Sequence, residues 1–249
     1  PEEAYYMIGD AFEYSEKYNT PVLFRPTTRI CHGYSTFWTD PVRRKVKADG
    51  FVKDSRWVIF PRLTYENHLK IEARQGVISE DFSSYRFNSV SGSGKKGIAA
   101  GGVSYAYVLE ALSMLGVDCK LFKVATPHPF PERLALEFLE GLDEVLVAEE
   151  LDPVIEKELV YLCGRHGLNI KIRGKLTGDM KNAGENSVNS ITRQIKKFLG
   201  LQEVSSKTAE KTCMDITEED GTSTDDMPSL PARPPVLCAG CPHRASFYA

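Results

Sequence analysis

The sequence has little net charge, few cysteines and no long apolar run. Its 31 basic and 34 acidic side chains leave a formal net charge of −3. Such a balance creates no general field that attracts nucleic acid, and no local basic patch of that kind stands out. The longest uncharged run, Gly97 to Leu109, is far shorter than the ~20 apolar residues that cross a bilayer. We therefore expect neither a nucleic-acid partner nor a membrane span.

The six cysteines are too few and too irregularly spaced for the disulfide framework of a small secreted protein. A hydrophobic content of 42% over 249 residues excludes wholesale disorder and collagen-like structure, and it supports one core with room for a second domain. The chain opens at Pro1 without an initiator methionine and stops at Ala249 inside a predicted helix, and no charged leader precedes the body. We expect a cytoplasmic piece of a longer polypeptide.

The N-terminal part predicts a helix followed by a strand. Apolar residues recur at helical spacing from Glu2 to Tyr18, and Pro21 to Arg25 forms a short apolar run typical of a buried strand. Open α/β sheets bind ligands beyond the carboxyl ends of their strands, which makes the following Thr28 and Arg29 candidates for a binding site. A threonine-capped loop with surface arginines explains the same residues equally well.

Residues 56–200 alternate strands with helices. Helices of ~10 to 15 residues between strands of about five residues predict βαβ units, an α/β fold class and a mainly parallel sheet. The predicted strands are 97–102, 119–125, 144–148 and 169–172. The predicted helices are 65–78, 103–115, 132–139 and one that begins at Asp152-Pro153.

Three features of this region have both a chemical and a structural explanation. The turn at Gly101-Gly102 offers backbone N–H groups to an anion, but it lacks a complete dinucleotide or P-loop motif, and we favour close packing of helix on strand. Glu149-Glu150 is a carboxylate pair near Asp152, for which we favour a helix N-cap over catalysis. We interpret His128, between two prolines, as a structural loop residue.

Two other stretches lack periodicity. Residues 36–55 predict a connector, and we interpret the basic run 43–47 inside it as a solvated face rather than an anion site. Residues 201–235 are rich in Ser, Thr, Asp and Glu and end in several prolines, which predicts a flexible linker. A further domain should begin near Val236.

The sharpest motif is Cys238-Ala239-Gly240-Cys241-Pro242-His243-Arg244. Two thiols three positions apart around a glycine can turn toward one soft metal centre. Pro242 excludes covalent haem attachment, which needs His directly after the second Cys, and a zinc site would need ligands from beyond Ala249. A dithiol redox pair at a helix N-terminus and two inert buried cysteines stay open as alternatives.

Four segments of the sequence together resemble one family. They are Pro21 to Arg29, Gly101 to Tyr105, Val147 to Pro153 and the terminal Cys-Ala-Gly-Cys-Pro-His-Arg motif, in that order. The sequence is similar to the large alpha subunits of indolepyruvate ferredoxin oxidoreductases, within the 2-oxoacid:ferredoxin oxidoreductase superfamily. The resemblance covers the whole chain except the linker.

The resemblance implies a domain order. Residues 1–35 would end the domain that holds the thiamine pyrimidine, 36–55 would connect, and 56–200 would form a domain like the C-terminal domain of transketolase. After the linker, 236–249 would open the domain that holds the thiamine pyrophosphate.

The resemblance also implies a reaction and its cofactors. An aryl 2-oxo acid would be oxidatively decarboxylated with thiamine diphosphate and Mg²⁺, coenzyme A would take the acyl group, and [4Fe-4S] clusters would pass electrons to ferredoxin. Cys238 and Cys241 would be two cluster ligands, and His243, Gly240, Thr28 and Arg29 would lie near the thiamine cofactor. A smaller beta subunit is the implied partner, and this chain alone should be inactive. The alternative is a noncatalytic α/β interaction module whose Cys pair binds structural zinc.

Overall fold

A computed structural model describes residues 1–39, 50–55 and 58–201. The basic run 43–47, the linker 203–235 and the Cys238–Cys241 motif lie outside the described residues, so those interpretations stay predictions. In the part of the chain that the structure describes, no helix is long and apolar enough to span a membrane.

Seven helices and five strands occur in the described ranges. Helices precede and follow the strands, and from β2 onward a helix separates each strand from the next. The helices are α1 (Glu2–Tyr18), α2 (Thr28–His32), α3 (Pro61–Phe82), α4 (Val103–Leu115), α5 (Glu132–Leu139), α6 (Val154–His166) and α7 (Val188–Leu199). The strands are β1 (Ser89–Ser91), β2 (Lys96–Gly101), β3 (Lys120–Val124), β4 (Glu144–Ala148) and β5 (Lys171–Arg173).

The five strands form one sheet in the order β1-β3-β2-β4-β5. Strands β3, β2, β4 and β5 are parallel, and β1 pairs antiparallel with β3 at the edge. Ile98 at the centre lies between Leu121 of β3 and Leu146 of β4. The predicted α/β class with a mainly parallel sheet is confirmed.

The central strands are buried on both faces, as expected for a parallel sheet covered by helices. Ala99, Phe122 and Val147 pack with residues of α5 and α6 on one face. The residues that alternate with them, such as Ile98 and Leu146, pack with α4 and α7 on the other face. Residues 96–199 therefore form a three-layer α/β/α arrangement.

One local prediction was wrong, and one predicted helix proved longer than expected. Pro21–Arg25 is not a strand, and Leu23 is 96% exposed. An apolar run becomes a strand only where a neighbour completes its hydrogen-bond ladder, and none of the described strands pairs with it. The long helix begins at Pro61 and ends at Phe82, beyond the predicted 65–78 at both ends.

Gly92, directly after β1, provides a stability test. Its φ is +70°, and a Cβ there would lie 2.2 Å from the carbonyl oxygen of Cys119. Gly92→Ala should therefore destabilise the fold by about 1 to 3 kcal/mol, through backbone strain and overlap at the β1–β3 edge. The measurement is the free energy of unfolding in urea.

Gly164→Ala is the matched control, because Gly164 lies in α6 and a Cβ there meets nothing within 4 Å. This control should gain up to about 1 kcal/mol from helix propensity. Equal stability of Gly92→Ala and the unsubstituted chain would contradict the predicted overlap.

Candidate functional site at the carboxyl edge of the sheet

The candidate site lies at the carboxyl ends of the neighbouring strands β2 and β4, where the connections that follow them run in opposite directions along the sheet. The chain leaves β2 through α4 to reach β3 on one side, whereas β4 lies on the other side of β2. Such a change of direction opens a crevice beyond the carboxyl ends of the two strands, which is where open α/β sheets bind ligands. Gly101-Gly102 follows β2 at this edge, and Glu149 follows β4.

The turn formed by Thr27, Thr28 and Arg29 lies beside this edge. A Cβ on Gly102, whose φ is +57°, would lie 3.8 Å from Cγ2 of Thr27. The Oγ1 atom of Thr27 is buried and has no hydrogen-bond partner among the described residues. Thr28 and Arg29 begin the short helix α2 and are both exposed. The structure thus brings this turn to the carboxyl end of β2, although it does so without the predicted strand.

An acidic partner orients Arg29. Its Nε donates to Oε2 of Glu185 at 2.8 Å, and its Nη2 lies 2.6 Å from the same oxygen. This hydrogen bond raises the pKa of Arg29 above its ordinary value. Both side chains are more than half exposed, so the pair orients the guanidinium rather than stabilising the fold. The Arg29 side chain nevertheless keeps 56% of its surface exposed.

Asn186 connects this pair to the two strand ends. Its backbone N–H donates to Oε1 of Glu150 at 2.9 Å, and its side-chain amide donates to Oγ of Ser104 at 2.9 Å. Ser104 is buried in the first turn of α4. Sequence reasoning missed Glu185 and Asn186, because they lie in an irregular segment without a motif.

Glu149, and not Asp152, caps helix α6. Its carboxylate accepts the backbone N–H groups of Val154, Ile155 and Glu156 at 2.9 to 3.0 Å. The prediction that Asp152 is the N-cap was wrong, since the chain turns at Leu151, with φ +59°, and places the buried Glu149 over the helix end. Glu149 is therefore occupied by capping and is not available as a catalytic acid or base.

Burial dominates the electrostatics of Glu149. Desolvation raises the pKa of Glu149, while the three backbone N–H groups oppose the rise. The neighbouring Glu156 carboxylate adds to it. The side chain that caps α6 is therefore a carboxyl group whose charged form is disfavoured by burial.

A second buried carboxylate anchors the loop after β5. Oε2 of Glu156 accepts the backbone N–H groups of Lys175 at 2.7 Å and of Leu176 at 3.0 Å. Its Oε1 has no partner in the part of the chain that the structure describes. The loop approaches this closely because Gly174 has no side chain; a Cβ there would lie 2.7 Å from the carboxyl carbon of Glu156.

The side chain of Lys175 is buried and feels the charges of the Glu149 and Glu156 carboxylates. It donates to the carbonyl oxygen of Lys181. Burial lowers the pKa of Lys175, and the charges of Glu149, Glu150 and Glu156 oppose that shift. Lys175 therefore partly neutralises the acidic groups beneath the candidate site.

A separate open cleft of about 800 Å³ lies between α3, α5 and α6. His128 and Glu158 line it, and most of its other charged groups are paired, as in the 2.9 Å contact of Arg165 with Glu132. Burial raises the pKa of Glu158, and His128 opposes this. His128 thus contributes to a cleft wall and is not brought together with Arg29.

The described part of the edge carries one exposed guanidinium, that of Arg29, beside the carboxylates of Glu149, Glu150 and Glu185. No cluster of His, Cys, Asp and Glu within residues 1–39, 50–55 and 58–201 could hold a metal ion. Thr27 lies beside the glycine turn, where a Cβ on Gly102 would be 3.8 Å from its Cγ2 atom, and Arg29 follows two residues later. Cys238, Gly240, Cys241 and His243 lie outside the described residues.

No family model matches the sequence. The chain is similar to indolepyruvate oxidoreductase subunits IorA of several archaea. It is 33% identical to that of Methanothermobacter thermautotrophicus over 253 residues and 36% identical to that of Thermococcus kodakarensis over 258 residues. Both matches cover 100% of this chain and 38% of the relative, so the chain spans well under half the length of these relatives. The resemblance expected from the sequence is confirmed.

Two solved structures share part of the fold. A 2-oxoglutarate:ferredoxin oxidoreductase from Magnetococcus marinus matches with a TM-score of 0.40 and 19% identity, over 55% of this chain and 23% of that chain. A split-gene transketolase, described as an inactive beta4 tetramer, matches with a TM-score of 0.38 and 22% identity, over 46% of this chain and 41% of that chain.

Proposed function

We propose that this chain is part of an oxidoreductase that oxidatively decarboxylates aryl 2-oxo acids such as indolepyruvate. The observation that carries the proposal is the 33 to 36% identity, over the full chain, to subunits named for indolepyruvate oxidation. The exposed guanidinium of Arg29 at the edge of the sheet is compatible with the proposal, because a 2-oxo acid carries a carboxylate that a guanidinium can bind.

The proposed role of Arg29 is to bind an anionic group at this edge. Glu185 holds the guanidinium from one side, and a carboxylate or phosphate oxygen can accept from the remaining N–H groups. The unpaired hydroxyl of Thr27 and the exposed Thr28 offer further hydrogen bonds to the same group. Arg29, Thr27 and Thr28 thus fit a place near the thiamine cofactor, as the resemblance implies.

The cofactors would be thiamine diphosphate with Mg²⁺ and [4Fe-4S] clusters. When bound, they supply decarboxylation and single-electron transfer to ferredoxin, while coenzyme A takes the acyl group. Cys238 and Cys241 would be two thiolate ligands of one cluster. Gly240 and His243 would lie near the thiamine, and a smaller beta subunit would complete the enzyme.

The proposed domain order follows the sequence-based boundaries. Residues 1–35 end a pyrimidine-binding domain, 36–55 connect, 56–200 form the α/β domain, 201–235 link, and 236–249 begin a pyrophosphate-binding domain. The α/β/α layers of residues 96–199 support the third segment, and in particular its end near residue 200.

Arg29→Ala, made in the longer polypeptide with its beta subunit, tests the role of the edge. The loss of one charge-assisted hydrogen bond of about 1.5 to 3 kcal/mol should lower kcat/KM for indolepyruvate by about 10- to 100-fold. The assay is indolepyruvate-dependent reduction of ferredoxin with coenzyme A.

Arg62→Ala is the matched control, since Arg62 is an exposed arginine on α3 that pairs with Glu66 four residues along the helix. It should leave kcat/KM unchanged. If Arg29→Ala also leaves kcat/KM unchanged while both variants unfold like the parent, Arg29 is a surface residue without a role in the reaction.

A further inference from the structure

The ion pair of Arg29 with Glu185 joins a lightly anchored residue to a firmly anchored one. Arg29 belongs to α2, a helix of five residues, none of which is buried in the described part of the chain. Glu185 comes directly before the buried Asn186 and two positions before Ser187, the N-cap of α7. Ser187 and Ser190 exchange hydrogen bonds in a capping box, and such a box fixes the path of the chain into a helix. Glu185 is therefore the better fixed residue of the pair.

Asn186 holds the backbone beside Glu185 through three hydrogen bonds. Its N–H donates to Oε1 of Glu150 at 2.9 Å, and its side-chain amide donates to Oγ of Ser104 at 2.9 Å and to the carbonyl oxygen of Glu149 at 3.4 Å. Ser104 follows β2 along the chain, whereas Glu149 and Glu150 follow β4. The position of Glu185 is therefore set by the carboxyl ends of both strands.

Glu185 binds the guanidinium of Arg29 along one edge. Nε donates to Oε2 of Glu185 at 2.8 Å, and Nη2 lies 2.6 Å from the same oxygen. Because the guanidinium is planar and its N–H bonds have fixed directions, an acceptor on the Nε–Nη2 edge determines where the whole group points. The N–H bonds at the end of the group, on Nη1 and Nη2, are directed away from that edge. They are the donors that suit a carboxylate approaching end-on.

The pair matters for direction rather than for stability. Both side chains are more than half exposed, and ion pairs of that exposure add little to the free energy of unfolding. An unpaired arginine side chain samples many rotamers, however, and ordering it before a ligand arrives lowers the entropy cost of binding.

We propose that Glu185 is a positioning residue that holds Arg29 so that its terminal N–H groups bind the carboxylate of a 2-oxo acid. The inference rests on the proposed function, because the anion is that of the proposed substrate. Glu185 acts through Arg29 and is not itself a ligand of the carboxylate, since two carboxylates repel each other.

Two substitutions of Glu185, made in the longer polypeptide with its beta subunit, test the positioning role. Glu185→Ala should lower kcat/KM for indolepyruvate by about 5- to 10-fold, because Arg29 loses its fixed direction. Glu185→Gln should recover most of this loss, since glutamine keeps an oxygen that accepts from Nε. If Glu185 only offset the charge of Arg29, both variants would bind the anion better and kcat/KM would rise, which would overturn the proposal.

Glu66→Ala is the matched control. Glu66 is 46% exposed and also pairs with an arginine, Arg62, whose Nε lies 3.2 Å from its Oε1. This variant should keep the kcat/KM of the parent.

A double-mutant cycle separates positioning from a general structural effect. In a chain that already carries Arg29→Ala, Glu185→Ala should change kcat/KM by less than about twofold, because the group that it positions is gone. A structural role of Glu185 would instead lower kcat/KM by the same factor with or without Arg29. That result would overturn the proposal.

Modification by phenylglyoxal gives a readout that does not need turnover. This reagent reacts with accessible arginine guanidinium groups, and peptide mass spectrometry measures the rate at Arg29. Indolepyruvate should slow this rate at least about fivefold in the parent and less than about twofold in Glu185→Ala, because only a positioned guanidinium binds the carboxylate well. Arg62 is the internal reference and should keep its rate. Equal protection of Arg29 in both chains would overturn the proposal.

Failure of this inference and failure of the proposed function give different results. If the parent does not oxidise indolepyruvate but its protection of Arg29 depends on Glu185, the proposed function fails and the positioning role stands. If Arg29→Ala lowers kcat/KM while Glu185→Ala matches the parent, the positioning role alone fails.

Discussion

Cys241→Ser in the longer polypeptide, purified without oxygen, is expected to lose about one cluster's worth of iron and to stop reducing ferredoxin. The expectation rests on the proposed [4Fe-4S] site, in which Cys238 and Cys241 provide two of the four thiolates that each cluster needs. Serine has a similar shape but is a much poorer ligand for soft iron. Iron content, acid-labile sulfide and the visible absorption of the cluster measure the loss without relying on activity.

Cys31→Ser is the control, since Cys31 is an exposed free cysteine in the described part of the chain. It should keep the full iron content. Full iron in Cys241→Ser with normal ferredoxin reduction would exclude Cys241 as a cluster ligand. Loss of zinc rather than iron would instead support the interaction module with a structural zinc site.

Lys175→Met should cause the largest loss of stability, about 3 kcal/mol at neutral pH. The ammonium group donates to the carbonyl oxygen of Lys181, and its charge opposes those of Glu149 and Glu156, both less than 10% exposed. Methionine fills a similar volume but leaves the carboxylates without a nearby cation. The measurement is the free energy of unfolding in urea, with Lys157→Met as the control on the exposed side of α6.

The deficit of Lys175→Met should depend on pH. A carboxyl whose folded pKa is raised takes up a proton on folding, so it makes the fold less stable as pH rises from its ordinary pKa through the raised one. Burial already raises the pKa of Glu149, and removal of Lys175 should raise it further. The deficit should therefore be larger at pH 8 than at pH 5.

The double variant Lys175→Met with Glu156→Gln separates charge from packing. Glutamine retains an oxygen that accepts from the loop N–H groups but removes one buried charge, so part of the lost stability should return. Unchanged stability of Lys175→Met would contradict the proposed neutralising role of Lys175. A loss of unfolding free energy that grows toward acid pH would contradict it as well.

The sequence by itself determined the layered α/β domain. Helices α4 and α5 and strand β4 begin and end where the apolar pattern predicts, and the alternation of short strands and helices indicated a parallel sheet. Periodicity is reliable here because burial on both faces of a central strand requires continuous apolar residues, and a helix against the sheet requires an apolar stripe. The chain's resemblance to oxidoreductase subunits was also carried by local motifs.

The tertiary structure decided which polar groups meet. Arg29 and Glu185 are 156 positions apart, and no local pattern couples residues at that distance. Asp152 was the better N-cap by sequence position, but the turn at Leu151 brought Glu149 to the helix end instead. Pro21–Arg25 had the composition of a strand and lacked a partner. Composition and spacing specify what each segment can form, whereas caps, ion pairs and strand pairing depend on which neighbours the folded chain supplies.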